Sequence, residues 1–264
     1  MMSYKNTQSF GFELSNPVDL AIRLCTEGRR TAESERDSIE VPSYLLYSDD
    51  SSRSARIQLP RVLGESRPFH ETLIMRKAVR SYGTQPLRLE HVSTLLDRVA
   101  RGDAEDCATG ARLGMRLQFV IVVWRVDNIV PGVYLYEPDE HCLSYIRRAP
   151  DPETEGKEMV LQIEFATAPL IILTTGNLAA ATAIYGAWGY RQLLLRAGSA
   201  GQRLWLASVA MGLAGTVFAG FLPRAAHEIA GIDGYRSAGL LAFATGYSGV
   251  SAPGSPGQGG GTMI

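Results

Sequence analysis

The sequence predicts a mixed fold of strands and helices, α/β or α+β, and three observations carry that prediction. Short apolar runs with strand character recur along the chain: "LQFVIVVW" (Leu117–Trp124), "APLIILTTG" (Ala168–Gly176) and "GLLAFATGY" (Gly239–Tyr247). They are rich in β-branched and aromatic residues, as buried strands are. Segments of helical period lie between them, and no internal repeat is visible. The third observation is "LWLASVAMGLAGTVFAGFLP", Leu204 to Pro223, which carries no ionisable side chain. About 18 apolar residues can cross a bilayer, so length alone would admit a membrane span. The run divides better into a helix from Ser199 to Leu213, a stop at Gly212, and a buried strand "TVFAGF" ended by Pro223.

The other elements follow in order. Residues 1–68 form a mixed, polar N-terminal extension, with the charge-dense "EGRRTAESERDS" (Glu27–Ser38) expected as a solvated helix or loop. "RIQLPRV" (Arg56–Val62) reads as an extended piece broken by Pro60. Helices are expected over His70–Arg80 and over Leu89–Arg101, where Leu89, Val92, Leu95, Leu96 and Val99 make one apolar stripe. "GVYLYEP" (Gly132–Pro138) is a strand running into a turn. A long helix is expected over Ala181–Ala197, capped by Gly198, and a short one over Arg224–Ala230. Residues 249–264 form a Gly/Ser/Pro-rich tail expected to be disordered. Its "GQGGG" follows no strand and opens no helix, so it is not a phosphate loop.

Composition narrows the functional classes. The 264 residues carry 26 basic and 27 acidic side chains, a near balance that implies neither a nucleic-acid nor an anionic-membrane partner. Cys25, Cys107 and Cys142 are few and widely spaced, and His70, His91, His141 and His227 form no metal-binding spacing. Ordinary thiols in a reducing cytoplasm, and no metal, are the expectation. The first residues lack the pattern of a secretory signal.

Chemistry concentrates in "MRKAVRSYG" (Met75–Gly83). On a helix, Arg76 and Arg80 would share a face, and two guanidinium forks four residues apart can clamp a phosphate, with Lys77 beside them. This segment, followed by "PLRLEHVSTLL", resembles the N-terminal signature of the nitroreductase superfamily, where an RxSxR-type stretch holds the phosphate and ribityl chain of FMN. "PGVYLYEPDEHCL" (Pro131–Leu143) is similar to a hairpin in one branch, the SagB-type (streptolysin/microcin-type) azoline dehydrogenases. "IYGAWGYRQLLLRAGSAGQRLWLASVAMGL" looks like the long helix pair of the same branch. The likeness spans about residues 40 to 248.

The resemblance implies an α+β fold with a mostly antiparallel central sheet flanked by helices, residues 69–248 forming the flavin domain of an intertwined homodimer. It implies FMN as cofactor, with Arg76 and Arg80 at the phosphate, Lys77 nearby, and Thr109 and Gly110 at a turn approaching the flavin. Ala219 and Gly220, in "FAGF", would pass the isoalloxazine ring. A modified precursor peptide and a cyclodehydratase complex are the implied partners, and Tyr185 the catalytic residue. Three positions depart from the family pattern. Ala78 stands for the serine of RxSxR, Gly246-Tyr247-Ser248 for a Gly-Arg-Pro, and Ile184 for the lysine preceding Tyr185.

Converting an azoline to an azole removes a ring proton and a hydride. A free phenol, with a pKa of about 10, is only roughly 0.1% ionised at pH 7, so a tyrosine without its lysine is a poor base. Three functions compete on these residues. They are an azoline dehydrogenase recycled by oxygen, a flavin reductase of a dehydroamino acid or nitro group using NAD(P)H, and a non-catalytic docking subunit.

Overall fold

The computed structural model describes Ile22, Thr26 and residues 55–62, 64, 67–108 and 115–249. Its strands form where apolar side chains alternate between two buried faces. In β2 (Gln118–Val123), Phe119, Ile121 and Val123 enter one core while Val120 and Val122 enter a second. The strand β5 (Leu170–Gly176) divides in the same way, Leu170 and Ile172 against Ile171 and Leu173. With both faces buried, such strands read as unbroken apolar runs, which is why the sequence marks them.

The remaining strands are β1 (Arg56–Gln58), β3 (Gly132–Glu137), β4 (Cys142–Arg148), β6 (Ala214–Phe218) and β7 (Ala238–Gly246). Together they make a seven-stranded sheet in the order β1-β4-β3-β2-β5-β7-β6, antiparallel throughout. The fold is α+β. Among the helices, α1 spans Phe69–Met75, α2 Leu89–Asp106, α3 Glu155–Glu158, α4 Leu178–Tyr185, α5 Ala187–Ala210 and α6 Pro223–Ala230. Side chains from α2, α4 and α5 fill the first core. The second is closed by α6, by a 3-10 turn at Ile163–Thr167, and by Val79 and Tyr82.

The stripe on α2 continues one turn past Val99 to Asp103, where an acid takes an apolar position. Asp103 is 5% exposed and Arg196 of α5 is 8% exposed. Arg196 donates from Nε to Oδ1 at 2.8 Å and from Nη2 to Oδ2 at 2.7 Å. The Leu117 amide, at the entry to β2, donates to Oδ2 at 3.2 Å. Burial lowers the pKa of Arg196, but the Asp103 carboxylate outweighs it and holds the guanidinium above its ordinary value. One buried fork thus ties two helices and the start of a central strand.

Helix α2 runs to Asp106, past the expected end at Arg101, and two further helix boundaries differ from the sequence reading. The helix expected over His70–Arg80 ends at Met75, and Arg76 is extended at φ −66°, ψ 105°. Beyond it, tertiary bonds replace helical ones. The Val79 amide donates to Thr216 Oγ1 at 2.8 Å, and that hydroxyl donates back to the Val79 carbonyl at 2.6 Å. Arg76 and Arg80 therefore do not share a helix face.

The second boundary concerns the long helix expected over Ala181–Ala197. It breaks at Gly186, whose φ of 56° and ψ of −141° suit only glycine, and then runs unbroken through Gly198. Gly189 explains the tight break: a Cβ there would lie 2.0 Å from the Ala181 carbonyl oxygen. Gly198 faces open space and is no cap. The uncharged run resolves into helix, turn and strand with shifted bounds: α5 ends at Ala210 rather than Leu213, the turn passes through Gly212 at φ 77°, and β6 is Ala214–Phe218 rather than Thr216–Phe221, because the chain leaves the sheet at Ala219. Among the described residues no helix is long and apolar enough to cross a membrane. Glu27–Ser38 and the tail from residue 250 lie outside the described residues.

Two outcomes follow from this packing. Arg196→Ala, which strands a buried carboxylate, should cost about 3–5 kcal/mol in urea unfolding, and the Asp103→Leu/Arg196→Met double variant much less. Equal losses would mean that the fork does not hold the helices. Gly189→Ala should cost at least about 1–3 kcal/mol, whereas Gly198→Ala should gain roughly 0.5–1 kcal/mol. A thermal melt of the two variants reads the contrast directly.

Candidate functional site

The residues from Arg76 to Tyr82 cross the edge of the sheet at β6. Arg76 begins the crossing on the α5 side, its guanidinium 4.5 Å from the centre of the Trp205 ring. Val79 is fastened to Thr216 as described, and Tyr82 is buried on the opposite face, its hydroxyl within reach of the Val79 and Ala244 carbonyls at 3.0 and 3.2 Å. Burial pushes that phenol far above its ordinary range, so it stays a neutral donor. The strap ends in a short pairing with the chain after β7, where Gly83 N–H donates to Tyr247 O at 2.9 Å and Gly249 N–H to Ser81 O at 2.9 Å.

Pinned at Val79 and Tyr82, the strap leaves Lys77, Ala78 and Arg80 exposed and Arg76 half-buried. None of the three cations has a carboxylate within ion-pair distance among the described residues, whereas Arg88, Arg101, Arg196, Arg203, Arg224 and Arg236 each do. Beside them the indole Nε1 of Trp205 is buried with no acceptor. Unpaired cations and an unused donor on one sheet edge fit an anionic group. In extended chain, Arg76 and Arg80 can lie roughly 13 Å apart, about twice the spacing on a helix face. They therefore line a strip more readily than they converge on one point.

β6 leads directly from this edge to Ala219 and Gly220. Ala219 is exposed and Gly220 half-buried. Here the chain leaves the sheet and pairs with residues 159–161: Leu161 N–H donates to Gly220 O at 2.8 Å and Leu222 N–H to Met159 O at 2.8 Å. A Cβ at Gly220 would lie 2.8 Å from the Gln162 side-chain oxygen and 3.1 Å from Leu161 Cβ. The glycine thus has a packing reason in the protomer itself. The structure brings Arg76, Lys77, Arg80, Ala219 and Gly220 to one edge, while Thr109 and Gly110 lie outside the described residues.

Tyr185 closes α4 at the Gly186 break, half-buried against the first core. Ile184 is 5% exposed and belongs to that core, so the position preceding Tyr185 packs rather than reaches out. The Tyr185 phenol lies close enough to the Arg196 guanidinium to interact with it electrostatically. Sequence reasoning missed Arg196, although a lone arginine inside "LLLRAG" is a signal for a buried pair.

At the C-terminal departure, Tyr247 sets its ring edge-on to His91, 6.2 Å between centroids. Burial, then the charge of Arg88, push His91 below its ordinary value, so neither residue supplies a cation at neutral pH. A cleft of about 490 Å³ between α1, α2 and α5 also carries arginines: Arg101 and Arg203 pair with Asp97 and Asp106, and Arg67 donates to the Val209 carbonyl at 2.8 Å. Among the described residues no three His, Cys, Asp or Glu converge.

The sequence profile of the Nitroreductase family matches residues 73–247, more than half of the chain. A Methanocaldococcus jannaschii protein named as a candidate nitroreductase is 32% identical over 189 residues, covering 68% of this chain and 91% of that one. A crystal structure of a candidate nitroreductase from Anabaena variabilis superposes with a TM-score of 0.62 at 26% identity. It covers 74% of this chain, which spans only 42% of that larger one. The Escherichia coli microcin synthetase McbBCD complex, with truncated pro-MccB17 bound, contains a chain matched with a TM-score of 0.52 at 15% identity, over 90% of this chain and 95% of its own, a likeness of fold. On the strap, the sheet and these matches together, the chain belongs to the nitroreductase family.

Proposed function

We propose that this protein is an FMN-dependent oxidoreductase that removes two hydrogens from thiazoline or oxazoline rings in a modified ribosomal peptide, leaving thiazole or oxazole. The observation that carries the cofactor is the strap. Three cations with no carboxylate partner among the described residues, Arg76, Lys77 and Arg80, stand at the edge of β6, Arg76 over the Trp205 indole, and β6 leads on to Ala219 and Gly220. Bound FMN would supply a two-electron acceptor at its ring. Arg76 and Arg80, strung along the strip, would hold its phosphate and ribityl chain, Lys77 would add charge, and the Ala219–Gly220 backbone would pass the ring. Thr109 and Gly110 belong to the same assignment.

Tyr185 is the residue assigned to the proton. At the end of α4 its phenol sits on a fixed break, with the Arg196 charge within electrostatic reach. That charge is half of a buried pair with Asp103, and isoleucine, not lysine, precedes the tyrosine. Tyr185 therefore orients the ring and relays its proton toward solvent, with oxygen taking the electrons in recycling. The azoline substrate rests on the sequence segments shared with the SagB-type branch, and the microcin synthetase neighbour agrees in fold. A homodimer and a cyclodehydratase partner belong to this reading. Exposed Phe69, Ile74 and Leu195 offer apolar surface for a second copy, and the expected compartment is the cytoplasm.

One observation favours a second reading. With Ile184 buried where the branch has lysine, a neutral Tyr185 is better suited to donate a proton than to accept one. The chain would then reduce a dehydroamino acid or nitro group with NAD(P)H.

Flavin content separates these readings from a non-catalytic docking subunit, which would purify colourless and take up no FMN. In a fluorescence titration Arg76→Ala should weaken FMN binding by about 10- to 100-fold, the loss of one charge-assisted contact. Unchanged affinity would remove Arg76 from the site. With a cyclised peptide, the wild-type protein should produce a mass loss of about two daltons per ring. Tyr185→Phe should slow that loss by roughly 10²-fold with flavin content intact. Full activity in the variant would make the tyrosine structural, and bleaching by NADPH without peptide would favour the reductase.

A further inference from the structure

The strand β7 is longer than the strand that covers it. Its pairing with β6 ends at Ala242, opposite Phe218, whereas its pairing with β5 continues to Ala238, opposite Gly176. Among the described residues, Ala238–Leu241 therefore have a strand partner on one side only. The cause is local. After Phe218, which stacks on Phe165 at 4.1 Å, the chain turns away to pair with residues 159–161, so β6 cannot run further beside β7. The vacated strip opens into a groove of about 370 Å³, walled by Tyr190 and Leu194 of α5, Leu240 and Leu241 of β7, Phe221 and Ile232.

We propose that this strip is a docking edge where an extended, uncharged peptide segment adds as a strand to β7. Two features identify the occupant. A row of unpaired main-chain N–H and C=O groups is complementary only to another backbone in extended form. The groove is also electrically neutral: none of its lining residues is charged, although one residue in five of the chain is. A charged segment would lose hydration there without gaining a partner. Four residues of edge, about 13 Å long, accept a segment of four or five residues, with alternate side chains turned into the groove.

The chain's own tail is a poor occupant, because Pro253, Pro256 and its glycines disfavour a strand. Ala219 belongs both to the groove lining and to the loop assigned to the flavin, so a strand bound here reaches the proposed redox centre. That the bound strand is the oxidisable peptide rests on the function proposed above; the docking edge itself does not.

The test uses the full-length protein and a fluorescein-labelled, acetylated Val-Thr-Val-Thr-Val amide, read by fluorescence polarisation. Two analogues carry N-methyl groups on the odd or on the even amides. A strand offers only alternate amides to one neighbour, so one analogue should lose binding at least tenfold and the other keep it. Leu194→Glu, placing a charge in the groove, should weaken the parent peptide at least tenfold. Ser199→Glu, at an exposed position of the same helix outside the groove lining, should not. Bound FMN, measured in the same samples, should be unchanged in both variants.

Absence of peptide binding, equal effects of the two methylation patterns, or equal effects of the two variants would overturn the docking edge. Conversion of a dimer to monomers by Leu194→Glu, seen by sedimentation, would give the groove to a second copy and overturn it as well. A protein that binds the peptide as described but takes up no FMN would instead leave the edge standing and remove the proposed function.

Discussion

The buried fork between Arg196 and Asp103 sets the spacing on which the rest of the molecule is built. It fixes the middle of α5 to the last turns of α2, and through the Leu117 amide it fixes both to the residue that leads into the central strand β2. Tyr185, Arg76 and the start of β6 all connect to α5. Its N-terminal end is the Gly186 break that presents Tyr185, and its C-terminal half carries Trp205 under Arg76 before turning into β6. A charge pair makes a demanding anchor, because its two hydrogen bonds tolerate little change of angle. An apolar contact of similar size would let α5 slide against α2, and with it the two ends of the proposed site.

The sheet explains why much of the architecture is legible in the sequence. β2, β5 and β7 are covered on both faces, so their runs are apolar without alternation and stand out against polar surroundings. The stripe on α2 is equally plain, and the turn at Gly212 is announced by its glycine. Where the reading failed, the deciding interaction lay far away in sequence. Nothing between Met75 and Arg80 breaks a helix, since no proline or glycine intervenes; the helix ends because Thr216, well over a hundred residues later, offers Val79 both a donor and an acceptor. Gly198 and Gly186 make the same point. The sequence reading put the stop at Gly198 and ran the helix through Gly186, whereas only Gly186 meets a neighbour, through Gly189 and Ala181, that demands a positive φ nearby.

The candidate site was legible as residue types and not as geometry. The basic cluster was visible, and the structure does bring it to the same edge as Ala219 and Gly220. Its presentation on an extended strap was not visible, and neither was the pairing that gives Gly220 its own packing role. Ile184 shows the converse. Its departure from the family pattern was plain in the sequence, and its burial in the first core shows that the change is accommodated by packing.

The mode of attachment of the strap has a consequence for how such a site can diversify. A strand joined by a full ladder cannot gain or lose one residue without turning every side chain to the opposite face. The stretch bearing Arg76 and Lys77 is moored to β6 through one hydroxyl, Thr216, so the chain ahead of Val79 is free of that parity rule. An insertion between Met75 and Val79 would advance or retract the positive charges along the sheet edge while leaving the two cores as they are. Length alone would then set the reach of the strap's cations, with no new contact to invent.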